Sequence, residues 1–259
     1  RFVPGPLFEG PVTPAGNTPI YKANGMTCYI ITLLTTLIID LTGSFNLSKV
    51  HSEFGEIIYI TKFFHWEMGY MCSMDIQVDR AGYYLCWGCL VWVPCVYTSA
   101  AYYLALHSPP LSPPLALSIF CCGVLAIFLN YDADSQRSLF RRTGGSCTIN
   151  RQAPTFIRAS YLTGEGRVRT NLLLTSGWWG VAKHVGYSFE VLSSLLWSLP
   201  AGLPKDRGAL LAPYFYVAFL AVLLTDRAFR DDDRCRKKYG EDWEKYDKVV
   251  KYKIIPGII

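Results

Sequence analysis

The residues best suited to act together chemically lie near the C-terminus, in the polar segment 230–246, RDDDRCRKKYGEDWEKY. Five of them recur at steps of four, four, four and three, which places their side chains on one face of a helix: Asp231, Cys235, Tyr239, Trp243 and Tyr246. Gly240 is expected to end one helix and begin another. The spacing predicts a polar surface of aromatic rings with a carboxylate at one end.

The same segment carries acid-before-base pairs four residues apart, the order that supports a solvent-facing helix: Asp232/Arg236, Asp233/Lys237 and Glu241/Lys245. One interpretation is a helix at the membrane surface, stabilised by ion pairs and anchored by aromatic rings. The other is a binding surface for an anionic ligand with rings.

A second charged segment, 132–169, is predicted to be a polar loop with a turn or short hairpin near 160–169. It holds seven arginines: Arg137, Arg141, Arg142, Arg151, Arg158, Arg167 and Arg169. Arg137 and Arg141 are four apart, so they share a face if this part is helical. Guanidinium groups bind phosphate through two hydrogen bonds. A phosphate clamp is one hypothesis, and positive charge flanking a membrane span is the other.

Composition indicates a membrane protein. Of 259 residues 51% are hydrophobic and only 17% are charged, well below the quarter typical of soluble domains. Residues 82–131 contain no Asp, Glu, Lys or Arg, enough for two crossings of about twenty residues each. The predicted fold class is all-α, a multi-pass transmembrane helix bundle, with spans at 25–39, 82–106, 114–131, 191–204 and 208–225.

The chain is predicted to form one membrane domain over 1–259. It consists of an irregular surface segment (1–24), N-terminal helices (25–131), an Arg-rich loop (132–170) and a C-terminal half with a polar tail (171–259). Two crossings separate the Arg-rich loop from the tail, so both face one side, which the positive-inside rule predicts to be the cytosol. The net charge of +5 is too small to indicate nucleic-acid binding. The nine cysteines follow no disulfide framework. Cys86 and Cys89 have CxxC spacing but lie in an apolar run with no partner CxxC or His cluster, so no metal site is expected.

Several motifs resemble the sterol reductase family. These are the N-terminal segment RFVPGPLFEGPVTPAGNTPIYKANG, Phe140-Arg-Arg-Thr-Gly144, Ser176-Gly-Trp-Trp-Gly-Val-Ala-Lys-His184, Leu211-Ala-Pro-Tyr-Phe-Tyr216 and the tail with Arg230-Asp231, Cys235, Lys238-Tyr239-Gly240, Trp243 and Tyr246. Together they extend over most of the chain. The family's members are longer, and the stretch joining Asp40 to Asn46 is expected to replace several spans.

The resemblance implies a multi-pass protein of the endoplasmic reticulum membrane with a cytosolic C-terminus. It implies reduction of a sterol ring double bond with NADPH, and the N-terminal FEGPVTPAG favours the C7–C8 bond. The cofactor contacts that it implies are Arg137, Arg141, Leu174, Trp179, Tyr187, Asp231, Cys235, Arg236, Lys237, Lys238, Tyr239 and Tyr246. The expected partners are a sterol from the bilayer, membrane lipids, and further copies or other membrane enzymes of sterol synthesis.

The proton donor stays open among residues suited by type: Glu9, Tyr83, Tyr84, Tyr97 and Glu190. Three alternatives also stay open. The chain could reduce the Δ14 bond, or resemble isoprenylcysteine methyltransferases, which share a looser tail and bind S-adenosylmethionine. It could also be a shortened, non-catalytic sterol-binding protein, since Cys89 stands where the family usually has an acid.

Overall fold

A computed structural model describes residues 47–66, 87, 91–97, 99–107, 111–164, 166–202 and 211–259. The predictions for 1–24, for the span at 25–39 and for the 40–46 junction lie outside the described residues, as do Glu9, Tyr83, Tyr84 and Cys89. The described helices, in chain order, are α1 (Leu47–His65), α2 (Val93–Tyr97), α3 (Ser99–Leu106), α4 (Pro113–Arg142), α5 (Trp178–Val181), α6 (Val185–Ser198), α7 (Leu211–Tyr239) and α8 (Glu241–Val249), with a 3₁₀ turn at Leu199–Ala201.

Two of these helices are long and apolar enough to cross a membrane, α4 and α7. Their apolar parts agree with the spans predicted at 114–131 and 208–225. The span predicted at 191–204 differs, because α6 begins earlier, at Val185, and gives way to the 3₁₀ turn after Ser198. Its fourteen residues are fewer than a straight crossing needs.

The all-α prediction is wrong in one region, because residues 156–174 form an antiparallel hairpin. Strands β1 (Phe156–Leu162) and β2 (Val168–Leu174) pair in a register that sets Phe156 opposite Leu174 and Leu162 opposite Val168. Alternate residues of one face, Ala159, Tyr161 and Asn171, are buried, as expected for a sheet covered on one side. The hairpin includes the segment 160–169, which the sequence predicts to be a turn or short hairpin, and extends beyond the predicted loop to Leu174.

The predicted loop at 132–170 is also wrong at its start, since α4 continues to Arg142. Arg141 and Arg142 lie in the last turn, where positive charge stabilises the negative end of the helix dipole. The helix then ends at two glycines with positive φ, and the Gly145 N–H donates to the Phe140 carbonyl at 2.9 Å. Arg137 and Arg141 are therefore on one helical face.

The described residues fall into two compact units, the first from 47–127 and 191–220, the second from 128–190 and 221–259. The first unit has an aromatic core, in which the Trp197 ring lies 5.5 Å from Tyr59 and 5.6 Å from Tyr97, and Tyr97 lies 5.3 Å from Tyr216. The Tyr97 hydroxyl donates to the backbone carbonyl of Glu56 at 3.2 Å. The single-domain prediction itself stays a prediction.

The second unit is built around the tail. Gly240, with φ of 53°, separates α7 from α8, as predicted. The first turn of α8 holds Glu241, Asp242 and Glu244, whose negative charge stabilises the positive end of the helix dipole. Tyr239, Trp243 and Tyr246 are buried together with Ala159 and Tyr161 of β1, and Cys235 packs against them. The predicted aromatic face therefore exists, and the hairpin covers it.

Candidate functional site

A pair of tryptophans is held on the polar end of α4. The Trp178 indole N–H donates to Asp132 at 2.7 Å, and the Trp179 indole N–H donates to the Ala133 carbonyl at 2.7 Å. The Arg137 guanidinium lies 4.0 Å from the centre of the Trp179 ring. Leu174 packs in the same buried cluster as Trp179. One helix therefore fixes both rings and an arginine side chain.

The tail presents its predicted face toward this region. Asp231 Oδ2 lies 3.5 Å from His184 Nε2 and 4.0 Å from the Cys235 thiol. The Tyr239 hydroxyl accepts a hydrogen bond from the Asn171 amide at 2.8 Å. These contacts order one face of α7 from its carboxylate to its last aromatic ring.

The buried Tyr246 hydroxyl lies within the electrostatic influence of both α4 arginines and of other tail residues. Burial raises the pKa of its hydroxyl, and the groups that act on that hydroxyl electrostatically include Arg137, Arg141, Cys235 and Asp231. Both arginines and the Asp231 carboxylate are therefore within electrostatic range of this one hydroxyl. Two segments about ninety residues apart in the chain, by their numbering, are brought together here.

Tyr187 shares this environment. Its ring stacks on His184 with centroids 4.9 Å apart and planes at 13°. Burial raises the pKa of Tyr187 to about 12, with further influence from Arg227, Asp231, Arg137 and Glu190. The hydroxyl is therefore protonated at neutral pH and available as a hydrogen-bond donor.

We use the term candidate site for the residues that the structure brings together in this way: Arg137, Arg141, Trp179, Tyr187, Asp231, Cys235, Tyr239 and Tyr246. Leu174 contributes from the adjoining buried cluster. Burial raises the pKa of the Cys235 thiol to about 12, so it is a neutral group rather than a thiolate nucleophile. The site combines two guanidinium groups, one carboxylate and several protonated or apolar rings.

Three predicted site residues take other positions. Lys238 lies 3.8 Å from the Tyr161 ring, at the edge toward the hairpin. Arg236 bonds to Asp247 at 3.0 Å and to Asp232 at 3.5 Å. Lys237 is exposed, two helical positions past Cys235 and so turned away from its face.

The prediction that the Asp232/Arg236 pair faces solvent is wrong for Asp232, which is 4% exposed. Its carboxylate accepts bonds from Lys183 at 3.0 Å, Lys253 at 3.1 Å and the Trp243 indole at 3.1 Å. Burial alone raises the pKa of a carboxyl, but the hydrogen bonds from the two lysines outweigh it and hold the pKa of Asp232 at about 2. The sequence predicts that Lys245 pairs with Glu241, but it bonds to the next residue, Asp242, at 2.7 Å.

The sequence prediction missed Lys183 and His184, although both stand in the quoted WGVAKH motif. Lys183 is buried between Asp232 and Asp247. The backbone N–H groups of Lys183 and His184 donate to the carbonyls of Tyr252 and Lys253 at 3.0 and 2.8 Å. Two adjacent basic residues inside an apolar, Gly- and Trp-rich stretch were the available signal, because buried charge needs a partner.

The described proton-donor candidates are in different units. Tyr97 belongs to the first unit, where its hydroxyl is bonded to a backbone carbonyl. Glu190 belongs to the second unit and acts on the Tyr187 hydroxyl. Glu190 is the one of these two that belongs to the same unit as the candidate site.

Comparison with known proteins defines the class. A model of the "Ergosterol biosynthesis ERG4/ERG24 family" matches residues 53–259. The chain is 39% identical to 7-dehydrocholesterol reductase of Arabidopsis thaliana, over 99% of this chain and 81% of that protein. It is 39% identical to the protein of the same name from Danio rerio (85% and 45%) and 42% identical to Delta(14)-sterol reductase erg24 of Schizosaccharomyces pombe (74% and 42%). The chain belongs to the ERG4/ERG24 family of sterol reductases, which are membrane proteins.

The chain is shorter than these relatives. The alignment with the Arabidopsis protein has 354 positions, whereas this chain has 259 residues, so at least 95 aligned positions have no counterpart here. The aligned part is less than half the length of the zebrafish and fission-yeast proteins. The shortening expected from the resemblance is therefore confirmed.

Proposed function

We propose that this chain is an NADPH-dependent reductase of the C7–C8 double bond of sterols, converting 7-dehydrocholesterol to cholesterol or an equivalent pair. The observation that carries the proposal is that Arg137 lies on the Trp179 ring and Asp231 lies beside His184, with Arg137, Arg141 and Asp231 all in electrostatic range of the buried Tyr246 hydroxyl. Cationic and aromatic groups with one carboxylate match the chemistry of a dinucleotide, which has phosphates, flat rings and hydroxyl groups.

The residues present fit this cofactor. Arg137 and Arg141 are suited to the phosphates by charge and by their several N–H donors; Arg137 rests on the Trp179 ring and also lies 3.5 Å from Asp134. Trp179 and the tail aromatics are buried, and the tail rings pack against β1 as the apolar base of the site. Asp231 accepts from a ribose hydroxyl or the carboxamide, while Tyr187 and Tyr246, both protonated, donate. When bound, NADPH supplies the hydride that the reduction requires.

The bond specificity rests on the relatives' names and the N-terminal FEGPVTPAG. Relatives named 7-dehydrocholesterol reductase align with 99% and 85% of this chain. A Δ14-sterol reductase is 42% identical over 74% of it, which keeps reduction of the Δ14 bond as the second candidate.

We further propose that the protein resides in the endoplasmic reticulum membrane, takes its sterol from the bilayer, and has the candidate site and the C-terminus in the cytosol. The supporting observations are α4 and α7, each of which is apolar over a membrane-crossing length and continues into a polar end. Association with further copies or with other membrane enzymes of sterol synthesis remains part of the proposal.

Cofactor binding to the purified protein in detergent is the first test. We expect NADPH to bind and S-adenosylmethionine not to compete. Arg141→Ala is expected to weaken NADPH binding about tenfold or more, because a hydrogen bond to a charged group contributes about 1.5–3 kcal/mol. Arg142→Ala is the matched control, since Arg142 is exposed one position further along the same helix.

Equal affinities for the two variants, or no NADPH binding by the unaltered protein, would contradict the assignment. The second test measures the products formed from 7-dehydrocholesterol and from a Δ14-sterol with NADPH. Turnover of the first substrate supports the proposed bond, and turnover of the second alone transfers the assignment to the Δ14 bond. Sterol binding without NADPH oxidation would indicate the non-catalytic alternative.

A further inference from the structure

Two adjacent basic residues, Lys183 and His184, contact two adjacent acidic residues of α7. Lys183 bonds to Asp232, and His184 lies beside Asp231. Consecutive residues of a helix point about 100° apart, so only one of the two carboxylates can face the candidate site. Lys183, Lys253 and the Trp243 indole hold Asp232 on the buried side.

His184 is itself immobilised from several directions. Its backbone N–H donates to the Lys253 carbonyl at 2.8 Å, and its ring stacks on Tyr187. Only 9% of the residue is exposed. The groups that act on the imidazole are Asp231, Arg137, Lys183 and Asp232, so a ring of fixed orientation meets the Asp231 carboxylate.

We propose that His184 is a positioning residue of the candidate site: its Nε2–H holds the Asp231 carboxylate toward a bound dinucleotide, and its ring supports Tyr187. This inference rests on the proposed function and assigns a role to a residue outside the predicted set. His184 acts through Asp231 and Tyr187 and takes no part in proton or hydride transfer.

NADPH titrations of four variants test the inference. His184→Phe keeps a ring on Tyr187 but removes the donor, and it is expected to weaken NADPH binding about tenfold. His184→Gln, whose amide can reach the same carboxylate, is expected to restore most of that loss. Asp231→Asn is expected to weaken binding as well, and adding His184→Phe to it is expected to cost little more, because no carboxylate is left to position.

If the loss of NADPH affinity in the double variant equals the product of the losses in Asp231→Asn and His184→Phe, the two residues act independently and the inference is overturned. Unchanged affinity in His184→Phe, or a Gln variant as weak as the Phe variant, would also overturn it. A purely structural role predicts loss of thermal stability without recovery of affinity by Gln.

A readout without cofactor separates this inference from the proposed function. The chain has four histidines, so the imidazole ¹⁵N signals of His184 can be assigned with a His184→Gln sample. In the cofactor-free protein we expect a neutral imidazole protonated at Nε2, with that signal displaced in Asp231→Asn. An undisplaced signal overturns the inference. If the unaltered protein binds no NADPH, the proposed function fails, and the proposed positioning role fails with it. In that case the ¹⁵N signal of His184 still decides whether the His184–Asp231 contact exists.

Discussion

At the residue scale, Asp231 and Asp232 show how neighbours in one acidic run take different roles. Asp231 lies at the candidate site beside His184 and Cys235. Asp232 lies in a buried group of ion pairs with Lys183, Lys253 and Arg236. Asp233, the third member, is exposed. The rotation of successive helix positions alone separates a carboxylate at the candidate site, a buried ion-paired carboxylate and a solvated one.

Removing the buried carboxylate tests the structural role. Asp232→Ala is expected to destabilise the protein by about 3 kcal/mol, because it leaves buried cationic groups without their main partner. The thermal midpoint in detergent measures the loss. Asp233→Ala is the matched control and is expected to change stability by less than about 0.5 kcal/mol. Equal midpoints for the two variants would show that the buried group contributes nothing.

His184 predicts a pH dependence of stability. Burial lowers its pKa from 6.5 to about 4, an effect only partly offset by Asp231. Between these two pH values the unfolded chain binds a proton that the folded protein does not, so stability falls as the pH falls from 6.5 toward 4. The full effect is on the order of 3 kcal/mol.

Thermal midpoints at pH 7.5 and 5 measure this dependence. The decrease is expected to be larger in the unaltered protein than in His184→Gln. The other three histidines are present in both proteins, so any contribution from them cancels in the comparison. Identical decreases would mean that His184 carries a proton in the folded state, contrary to its buried environment.

At the element scale, the polar end of α4 is the support of the site. Asp132, Ala133, Gln136 and Arg137 contact the Trp178–Trp179 pair through hydrogen bonds and a ring contact. The pair is thereby fixed against a helix rather than carried on a free loop. The hairpin performs a similar function for the tail, because Asn171 bonds to Tyr239 and Asp242 accepts from the Ser160 N–H.

The approach of α5 to α4 depends on Gly177. Its φ is 63°, and a Cβ at this position would lie 2.3 Å from Gln136 Oε1 and 2.7 Å from Ile149 Cγ2. Gly177→Ala is therefore expected to destabilise the protein by about 2 kcal/mol or more and to displace the tryptophan pair. The thermal midpoint and tryptophan fluorescence are the measurements.

Gly164→Ala serves as the comparison for that substitution. A Cβ at Gly164 meets nothing within 4 Å, and its effect on the midpoint is expected to be small. If Gly177→Ala were equally harmless, the close approach of the two segments would be wrong.

At the scale of the whole molecule, the proposed topology places the hairpin and the tail in the cytosol. A glycosylation acceptor introduced into the hairpin turn, 163–167, is therefore expected to stay unmodified in endoplasmic reticulum membranes. The same acceptor on a flexible spacer in the proline-rich segment 107–115 is expected to be modified, since one predicted crossing separates the two. Both variants also need Asn46→Gln, because Asn46-Leu47-Ser48 is itself an acceptor sequence for glycosylation. Modification of the hairpin acceptor would reverse the orientation.

The sequence by itself determined the features that depend on local spacing. The four-residue recurrence of Asp231, Cys235 and Tyr239, the helix break at Gly240 and the apolar lengths of α4 and α7 all follow from intrinsic helix geometry and chain composition. The family also follows from the sequence, since long motifs are carried by residue identity alone.

Only the tertiary structure decided which charges are buried and which distant segments meet. The packing of the β-hairpin on the tail, the burial of Asp232 and the His184–Asp231 contact depend on long-range partners, and neither helical period nor composition encodes the choice among partners. Arg137 lies in a segment predicted as loop and Asp231 in one predicted as helix, and nothing local shows that the two belong to one candidate site. That proximity is set by packing of α4, the tryptophan pair and the tail, because a buried charge is stable only where folding supplies its counter-charge.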